Sequence, residues 1–375
     1  MGDILRSRRK ESKTVPCPED DPGVMEVGEE ELISKYRHIT SIKILFIVVC
    51  ILITVAISGV SMTIGSYDIG FWESYGIVID HLLNGSDGSM KDFVIFDIRL
   101  PRICTGIVAG AGLALCGVVM QSTMKNPLAD PYTTGISSGA SFGATLAMVA
   151  GLTIIGGNYS IVINAFIFAL IPMFLIMTIS SVRRASSTMI ILCGIAVMYI
   201  FNAMTTVLML LANPDDLAAV YSWQVGSLES TSWESLTVML IFVLSGSVIL
   251  NSLAHKINVL SAGDESARSL GVNADHLRLL CLLIVSLVAA SIVSFTGIIG
   301  FVGLVCPHMC RMIMGSDNRY LMPASMATGA ALLVACDLIG RTIIAPTILN
   351  VGVITAFIGG PLFLYLLIKK KKEVW

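Results

Sequence analysis

The chain has 375 residues, of which 55% are hydrophobic and only 13% are charged, and its formal net charge is −2. Soluble globular domains carry about 25% charged residues, so this composition excludes an ordinary soluble protein. The small net charge also excludes the strongly basic surface of a nucleic-acid-binding protein.

The first 40 residues are polar and carry charges of both signs, and they lack the apolar core of a signal peptide. A basic stretch at 6–10 is followed by an acidic stretch at 19–31. We interpret residues 1–40 as a cytoplasmic extension without a fixed fold.

After residue 40, charged residues are missing from eight long runs. A helix needs about 20 apolar residues to cross a bilayer, and the runs 131–182 and 279–310 are long enough for two helices each. Hydropathy alone also allows eight or nine spans, but the turn residues inside both long runs favour ten. The sequence therefore predicts an all-α membrane protein with a ten-helix domain at 41–368 and a basic cytoplasmic tail at 369–375. The runs are 44–67, 103–124, 131–182, 185–214, 235–254, 279–310, 320–336 and 342–368.

The basic residues of the loops predict the orientation, because they concentrate on the cytoplasmic side. Lys35, Arg37 and Lys43 flank the first span and Lys369–Lys372 follow the last, so both termini are expected in the cytoplasm. The loop 213–233 is acidic and is expected outside. Four basic residues fall on the outer side against this rule, namely Lys91, Arg99, Arg102 and Arg341.

Cofactor and metal motifs are absent from the sequence. No phosphate-binding G-x-x-x-x-G-K-[ST] motif occurs, and most of the nine cysteines lie in apolar runs, where cysteine behaves as a small hydrophobe. Cys306, His308 and Cys310 suggest a metal site, but residues two apart point to different sides of a helix. We therefore predict no cofactor, no metal site and no catalytic centre.

Three ordered stretches together resemble one family. The first is Arg99-Leu-Pro-Arg102, followed by Met120-Gln121 and Asn126-Pro-Leu-Ala-Asp-Pro131; the second is 260–271, and the third is 300–308 followed by Arg311. They resemble the FecCD-type permease subunits of type II ABC importers for iron-siderophores, haem and cobalamin. The resemblance implies ten transmembrane helices per subunit and two permease copies per pore in the cell membrane. It also implies two copies of a separate ATPase subunit, which hydrolyses ATP, and an extracytoplasmic substrate-binding protein.

The loop between the sixth and seventh spans contains a candidate coupling segment. Two glycines bracket Asp264–Leu270, which reads as a short helix because Asp264 and Glu265 suit the first turn and Arg268 a later position. The resemblance implies that this helix fits a groove of the ATPase subunit; a simple connector is the alternative. The candidate coupling residues are Gly263, Asp264, Glu265, Ala267, Arg268, Leu270 and Gly271.

For the outer arginines, the resemblance implies contact with glutamates on the binding protein. Arginine suits this role because its guanidinium group pairs bidentately with carboxylates. There are alternatives at each site: Arg341 follows Asp337 by four residues and these two side chains would meet on one helical face, and Arg99 and Arg102 would reach the headgroups.

The candidate gating residues are Asn126, Pro127, Pro131, Pro307 and His308, with structural punctuation of the helices as the alternative. We expect a pore lined by small and apolar residues that carries an iron chelate, with cobalamin as the alternative substrate and an identical chain as the second copy. An ion-coupled secondary transporter is a more remote alternative, because it would need ionisable residues near mid-membrane, and Asp337 is the only acid well inside the spans.

Overall fold

A computed structural model of the chain describes residues 29–65, 67–182 and 186–369, and every regular element within them is helical. A π-helical turn at Val94–Arg99 joins α3 to α4, and a 3-10 turn at Pro131–Thr134 precedes α5. The helices are α1 (Glu29–Thr63), α2 (Phe71–Asn84), α3 (Met90–Phe93), α4 (Leu100–Met124), α5 (Ile136–Ala150), α6 (Ser160–Val182), α7 (Ser187–Leu211), α8 (Pro214–Val225), α9 (Trp233–Ser252), α10 (Ala254–Ala262), α11 (Asp264–Ser269), α12 (Ala274–Thr296), α13 (Val302–Met314), α14 (Asn318–Thr342) and α15 (Val351–Lys369).

Ten of these helices are apolar, which confirms the fold class and the predicted number of spans. Seven are long enough to cross a membrane, namely α1, α4 with its preceding turn, α6, α7, α9, α12 and α14. The other three, α5, α13 and α15, are shorter apolar helices. Helix α3 forms the start of the second span, Met90–Met124, and the remaining helices, α2, α8, α10 and α11, lie in the connections.

Two predicted boundaries differ from the structure. Helix α1 begins at Glu29, so residues 29–40, which we assigned to an unfolded extension, are helical; residues 1–28 lie outside the described part of the chain. The second span begins at Met90 rather than at 103. The sequence implied that the span starts after its last charged residue, Arg102. In the structure Arg99 and Arg102 are buried by protein, so the span continues past them toward its N-terminal end. The tail at 370–375 is also outside the described residues.

Helix α4 is the centre of the bundle, and 20 of its 25 residues are buried. Its glycines permit unusually close helix crossings: a Cβ atom on Gly110 would collide with the backbone of Gly329 in α14, and one on Gly117 with the backbone of Gly303 at the start of α13. Small residues of this kind allow membrane helices to pack backbone against backbone. The crossings place Gly303 beside the middle of α4.

The short helix α13 therefore begins inside the bundle, and the irregular segment 297–301 precedes it. Non-helical backbone at membrane depth is tolerated only where protein or a water-filled cavity surrounds it. Phe301 has a left-handed backbone with φ of 68°, which is rare for a bulky residue. A Cβ atom on Gly359 of α15 would collide with its side chain, so close packing against α15 accompanies this strained conformation.

Candidate functional site

At the end of the bundle where α1 ends and α4 begins, Arg99 binds the C-terminal end of α1. The residue is 4% exposed. Its Nη1 donates to the carbonyl oxygens of Met62 and Thr63 at 2.5 and 3.1 Å, and its Nη2 donates to that of Tyr67 at 2.5 Å. The last carbonyls of a helix have no partner within the helix and carry partial negative charge, so a guanidinium group is well suited to this position.

Asp337 of α14 pairs with two further arginines. The Nε and Nη2 atoms of Arg102 lie 2.9 Å from Oδ1 of Asp337, and Nε of Arg341 lies 3.1 Å from Oδ2. Arg341 also donates through Nη1 to the carbonyl oxygen of Ile64 at 2.9 Å, and through Nη2 to the carbonyl and hydroxyl oxygens of Ser61. We call Arg99, Arg102, Asp337 and Arg341 the arginine cluster. It joins α1, α4 and α14.

This geometry corrects the expectation that the three arginines face outward toward another protein. Their side chains are buried and bound to acceptors of the same chain, and the i,i+4 pair of Asp337 and Arg341 that the sequence offered as an alternative is present. The cluster holds three guanidinium groups and one carboxylate, so its net charge is +2. Contact with a binding protein stays a prediction.

A polar cavity of about 280 Å³ lies between α5, α7 and α8. Gln224 of α8 spans one side of it, and its Nε2 donates to the hydroxyl oxygen of Ser141 at 3.0 Å. Most of the lining residues carry hydroxyl or amide groups; the small, apolar lining expected for the pore stays a prediction. The lining residues are Ser137, Ser138, Ser141, Met198, Asn202, Thr205, Thr206, Met209, Gln224 and Ile298.

On α7, polar side chains that line this cavity are also exposed on the surface of the chain. Asn202 and Thr206 are exposed and lie one helical turn apart within a largely apolar helix. An amide facing hydrocarbon lacks hydrogen-bond partners and costs free energy, so this face of α7 is suited to water or to another protein chain. Sequence reasoning missed these residues, although an asparagine inside a 25-residue apolar helix was the available signal.

At the other end of the bundle, the predicted helix of the coupling segment (residues 263–271) is confirmed as α11. Asp264 anchors its start: Oδ1 accepts from Nζ of Lys125 at 2.7 Å and from Nη2 of Arg278 at 2.9 Å. Burial raises the pKa of Asp264, but the hydrogen bonds from Lys125 and Arg278 and their charges outweigh burial and hold the pKa below its ordinary value. The carboxylate is therefore ionised at neutral pH.

The faces of α11 differ in exposure. Leu270 is 69% exposed, and Glu265 and Arg268 are also exposed, whereas Ala267 is fully buried. The two bracketing glycines have φ angles of 144° and 77°, which glycine adopts readily. Ala267 thus packs inside the chain as part of the main buried cluster, and its part in coupling stays a prediction. Leu270 is the apolar side chain available to a partner.

The candidate gating residues lie at two breaks of the helices. Helix α4 ends at Met124, the side chain of Asn126 accepts from the backbone nitrogen of Leu128 at 3.0 Å, and Pro131 begins the 3-10 turn. Pro127 lies within the same turn region, so structural punctuation is present at this break. Pro307 and His308 lie inside α13 and are buried. Their part in gating stays a prediction.

Comparisons with known proteins agree on one family. Residues 38–369 match the sequence profile of the FecCD transport family. The cobalamin import system permease protein BtuC of Halobacterium salinarum is 41% identical over 275 residues, which are 73% of each chain. The hemin transport system permease protein HmuU of Yersinia pestis is 34% identical over 316 residues, which are 84% of this chain and 94% of that protein.

A solved structure has the same fold. It is described as an inward-facing conformation of a transporter of the metal-chelate ABC type, and it superposes with a TM-score of 0.76 at 31% sequence identity. The superposition covers 86% of this chain and 99% of the other.

Proposed function

The chain belongs to the FecCD transport family, and we propose that it forms, with a second copy of itself, the membrane pore through which an iron chelate is imported. It is a multi-span permease subunit of an ABC importer, and ATP is hydrolysed by a separate subunit. The permease itself performs no covalent chemistry. Its task is to open a path alternately to the two sides of the membrane.

The observation that carries the proposed pore is the polar face of α7. Asn202 and Thr206 line the polar cavity and are also exposed. In a single chain they would face lipid, where an unpaired amide is unfavourable. A second copy that places the same face opposite would enclose a hydrated path between two such surfaces. Closed two-fold assembly is the commonest symmetry of homo-oligomers.

Two partners follow from the two ends of the bundle. On the cytoplasmic side, α11 docks to each ATPase subunit through Leu270, Glu265 and Arg268, while Asp264 transmits the movement to α4 through Lys125. On the outer side, the arginine cluster attracts the acidic lobes of a binding protein through its net charge of +2. Because the guanidinium groups are engaged inside the chain, this attraction acts through the field of the cluster.

Both termini lie in the cytoplasm under this proposal. The support is the basic residues Lys35, Arg37 and Lys43 in the first half of α1 and the even number of apolar helices among the described residues. The coupling segment is then cytoplasmic and α8 lies on the outer side, with Asp215 and Asp216 in its first turn.

An iron chelate is the proposed substrate because hemin is named for one relative and a metal chelate for the solved structure. Cobalamin, named for another relative, is the alternative. An ion-driven secondary transporter is disfavoured, since Asp337 is occupied by two arginines and is not available as an ion relay.

Transport assays in proteoliposomes test the proposal. The permease is reconstituted with its ATPase and binding protein, and uptake of haem, a ferric siderophore and cobalamin is measured with and without ATP. We expect ATP-dependent uptake of one iron chelate and none with an ATPase whose phosphate-loop lysine is replaced. Uptake that needs no ATP and stops on addition of an ionophore would refute the importer. Uptake of cobalamin alone would refute the substrate.

A further inference from the structure

A groove of about 540 Å³ runs between α6 and α9. Helix α12 packs against both of these helices and forms the floor of the groove. We call it the apolar groove. Its volume lies within the ~300–1,000 Å³ typical of sites for small molecules. The lining residues are Tyr159, Val162, Ile163, Phe166, Ile167, Glu234, Ser235, Val238, Phe242, Ser291, Ser294 and Phe295.

The apolar groove lies at membrane depth, because α6, α9 and α12 are all long enough and apolar enough to cross a membrane. Tyr159 and Glu234 lie at one end of the groove, beside the first residues of α6 and α9. Phe242 lies at the other end. At ~1.5 Å per residue, the wall that α9 contributes from Glu234 to Phe242 is about 12 Å long. One leaflet supplies ~15 Å of hydrocarbon, so the groove matches the depth of a single leaflet.

Below its mouth, the groove offers a ligand hydrocarbon contacts and little else. The hydroxyl group of Ser235 donates to the carbonyl oxygen of Ser232 at 2.8 Å. On α12, the hydroxyl groups of Ser291 and Ser294 donate to carbonyl oxygens of the preceding turn at 2.8 and 3.1 Å. The other walls are aliphatic and aromatic side chains. Such a surface binds a hydrocarbon chain through many dispersion contacts.

Glu234 places a carboxylate at the mouth of the groove. Its Oε2 accepts a hydrogen bond from the hydroxyl group of Tyr159, which is neutral. None of the ion pairs among the described residues includes Glu234. The residue is exposed and lies in the first turn of α9, where the helix dipole favours the charged form of a carboxylate. A cation at the membrane surface therefore has a partner at the open end of the groove.

We propose that the apolar groove binds a hydrocarbon chain of a phospholipid whose headgroup carries a primary ammonium group, and that this ammonium pairs with Glu234. A primary ammonium has three N–H donors, and charge-assisted hydrogen bonds to a carboxylate are stronger than neutral ones. A quaternary ammonium has no N–H donor, and an anionic headgroup is repelled by the carboxylate. Helix α7, which carries the proposed pore face, does not line the groove, so the inference is separate from the proposed pore and its substrate.

Native mass spectrometry of the purified full-length chain tests the headgroup. The chain is mixed with equal amounts of phosphatidylethanolamine, phosphatidylcholine and phosphatidylglycerol that carry the same chains. We expect about a fivefold preference for phosphatidylethanolamine, the upper range for an exposed ion pair. Glu234→Gln should abolish this preference, because the amide carries no charge. Glu229→Gln, at an exposed glutamate outside the lining, is the matched control and should keep it.

A second pair of variants tests the place of the hydrocarbon chain. Val238 is 40% exposed, so Val238→Trp fills the groove from its open side and should lower the bound fraction of all three lipids at least fivefold. Ile241→Trp, one turn along α9 at an exposed position outside the lining, should bind as the wild type does; thermal unfolding checks that both variants are folded. The proposal is overturned if phosphatidylethanolamine is not preferred or if Glu234→Gln keeps the preference. Equal lipid binding by the two tryptophan variants would overturn it as well.

Discussion

Replacement of Asp337 by asparagine removes the single carboxylate of the arginine cluster and keeps the size of the side chain. Asp337, Arg102 and Arg341 have side chains that are 3%, 8% and 7% exposed, so water does not replace the lost charge. Breaking a buried ion pair by removing one partner costs about 3–5 kcal/mol. At ~1.4 kcal/mol per factor of ten, we expect the unfolding equilibrium to shift by about two to three and a half orders of magnitude.

Equilibrium unfolding of the detergent-solubilised protein, followed by helical circular dichroism, measures this change. Replacing the three ion-paired side chains together by apolar ones, as Arg102→Met with Asp337→Leu and Arg341→Met, should recover most of the stability, because no member of the ion-paired group is then left without its partner. A stability of Asp337→Asn within about 1 kcal/mol of the wild type, the size typical of exposed ion pairs, would refute the buried-cluster reasoning. So would a triple variant no more stable than the single one.

Three further substitutions test packing, pore and coupling. Gly117→Leu should prevent folding, because the added side chain collides with the backbone of α13. In the control variant Gly76→Ala the added methyl group meets nothing within 4 Å, so the unfolding temperature should stay unchanged. Similar stability of the two variants would contradict the close crossing of α4 and α13. Asn202→Leu should lower the rate of substrate uptake into proteoliposomes at least tenfold, while the unfolding temperature stays constant or rises. Unchanged uptake would show that α7 does not line the translocation path. Leu270→Asp should strongly weaken co-purification of the ATPase subunit. The control is Leu83→Asp, a substitution of a similarly exposed leucine in α2, which should leave co-purification unchanged. Equal loss in both variants would indicate a general defect of the permease and contradict docking through Leu270.

The number of membrane-spanning helices could be predicted from the sequence because the thickness of the hydrocarbon core sets a minimum length for each apolar run. A span needs about 20 apolar residues, and turn residues divided the two long runs correctly. The short helix of the coupling segment was equally readable, since acidic residues follow one glycine and a second glycine ends the stretch. Both features depend on neighbours in sequence.

The arginine cluster could not be read in the same way, because its contacts join residues far apart in the chain. Arg99 binds carbonyl oxygens some 32 to 37 positions away, and Arg341 binds carbonyl oxygens 277 and 280 positions away. Only the pair of Asp337 and Arg341 is local, and it is the part that the sequence suggested. The sequence therefore suggested contact with a binding protein, which stays a prediction, but it did not show that Arg99 and Arg341 bind the carbonyl oxygens at the end of α1.

Burial of single positions within short elements was also beyond the sequence. Ala267 and Leu270 lie three residues apart on α11, and both were expected to contact the ATPase. Which of them turns inward depends on how α11 packs against α10 and α12, and a local sequence pattern does not contain that information. The polar cavity could not be predicted for the same reason, because its lining comes from three helices and the turn after α12.

The central position of α4 has a consequence for mutational tolerance. Protein, not lipid, surrounds this helix. The size of the side chain allowed at each of its positions is therefore set by the distance to the backbone of the neighbouring helix, and hydropathy matters little. In a saturation library scored by transport, leucine should be among the worst replacements at Gly110 and Gly117. On the lipid-exposed face of α1, by contrast, leucine should be interchangeable with every other large apolar residue. A pattern of tolerance along α4 would then serve as a measure of interhelical spacing in the working transporter.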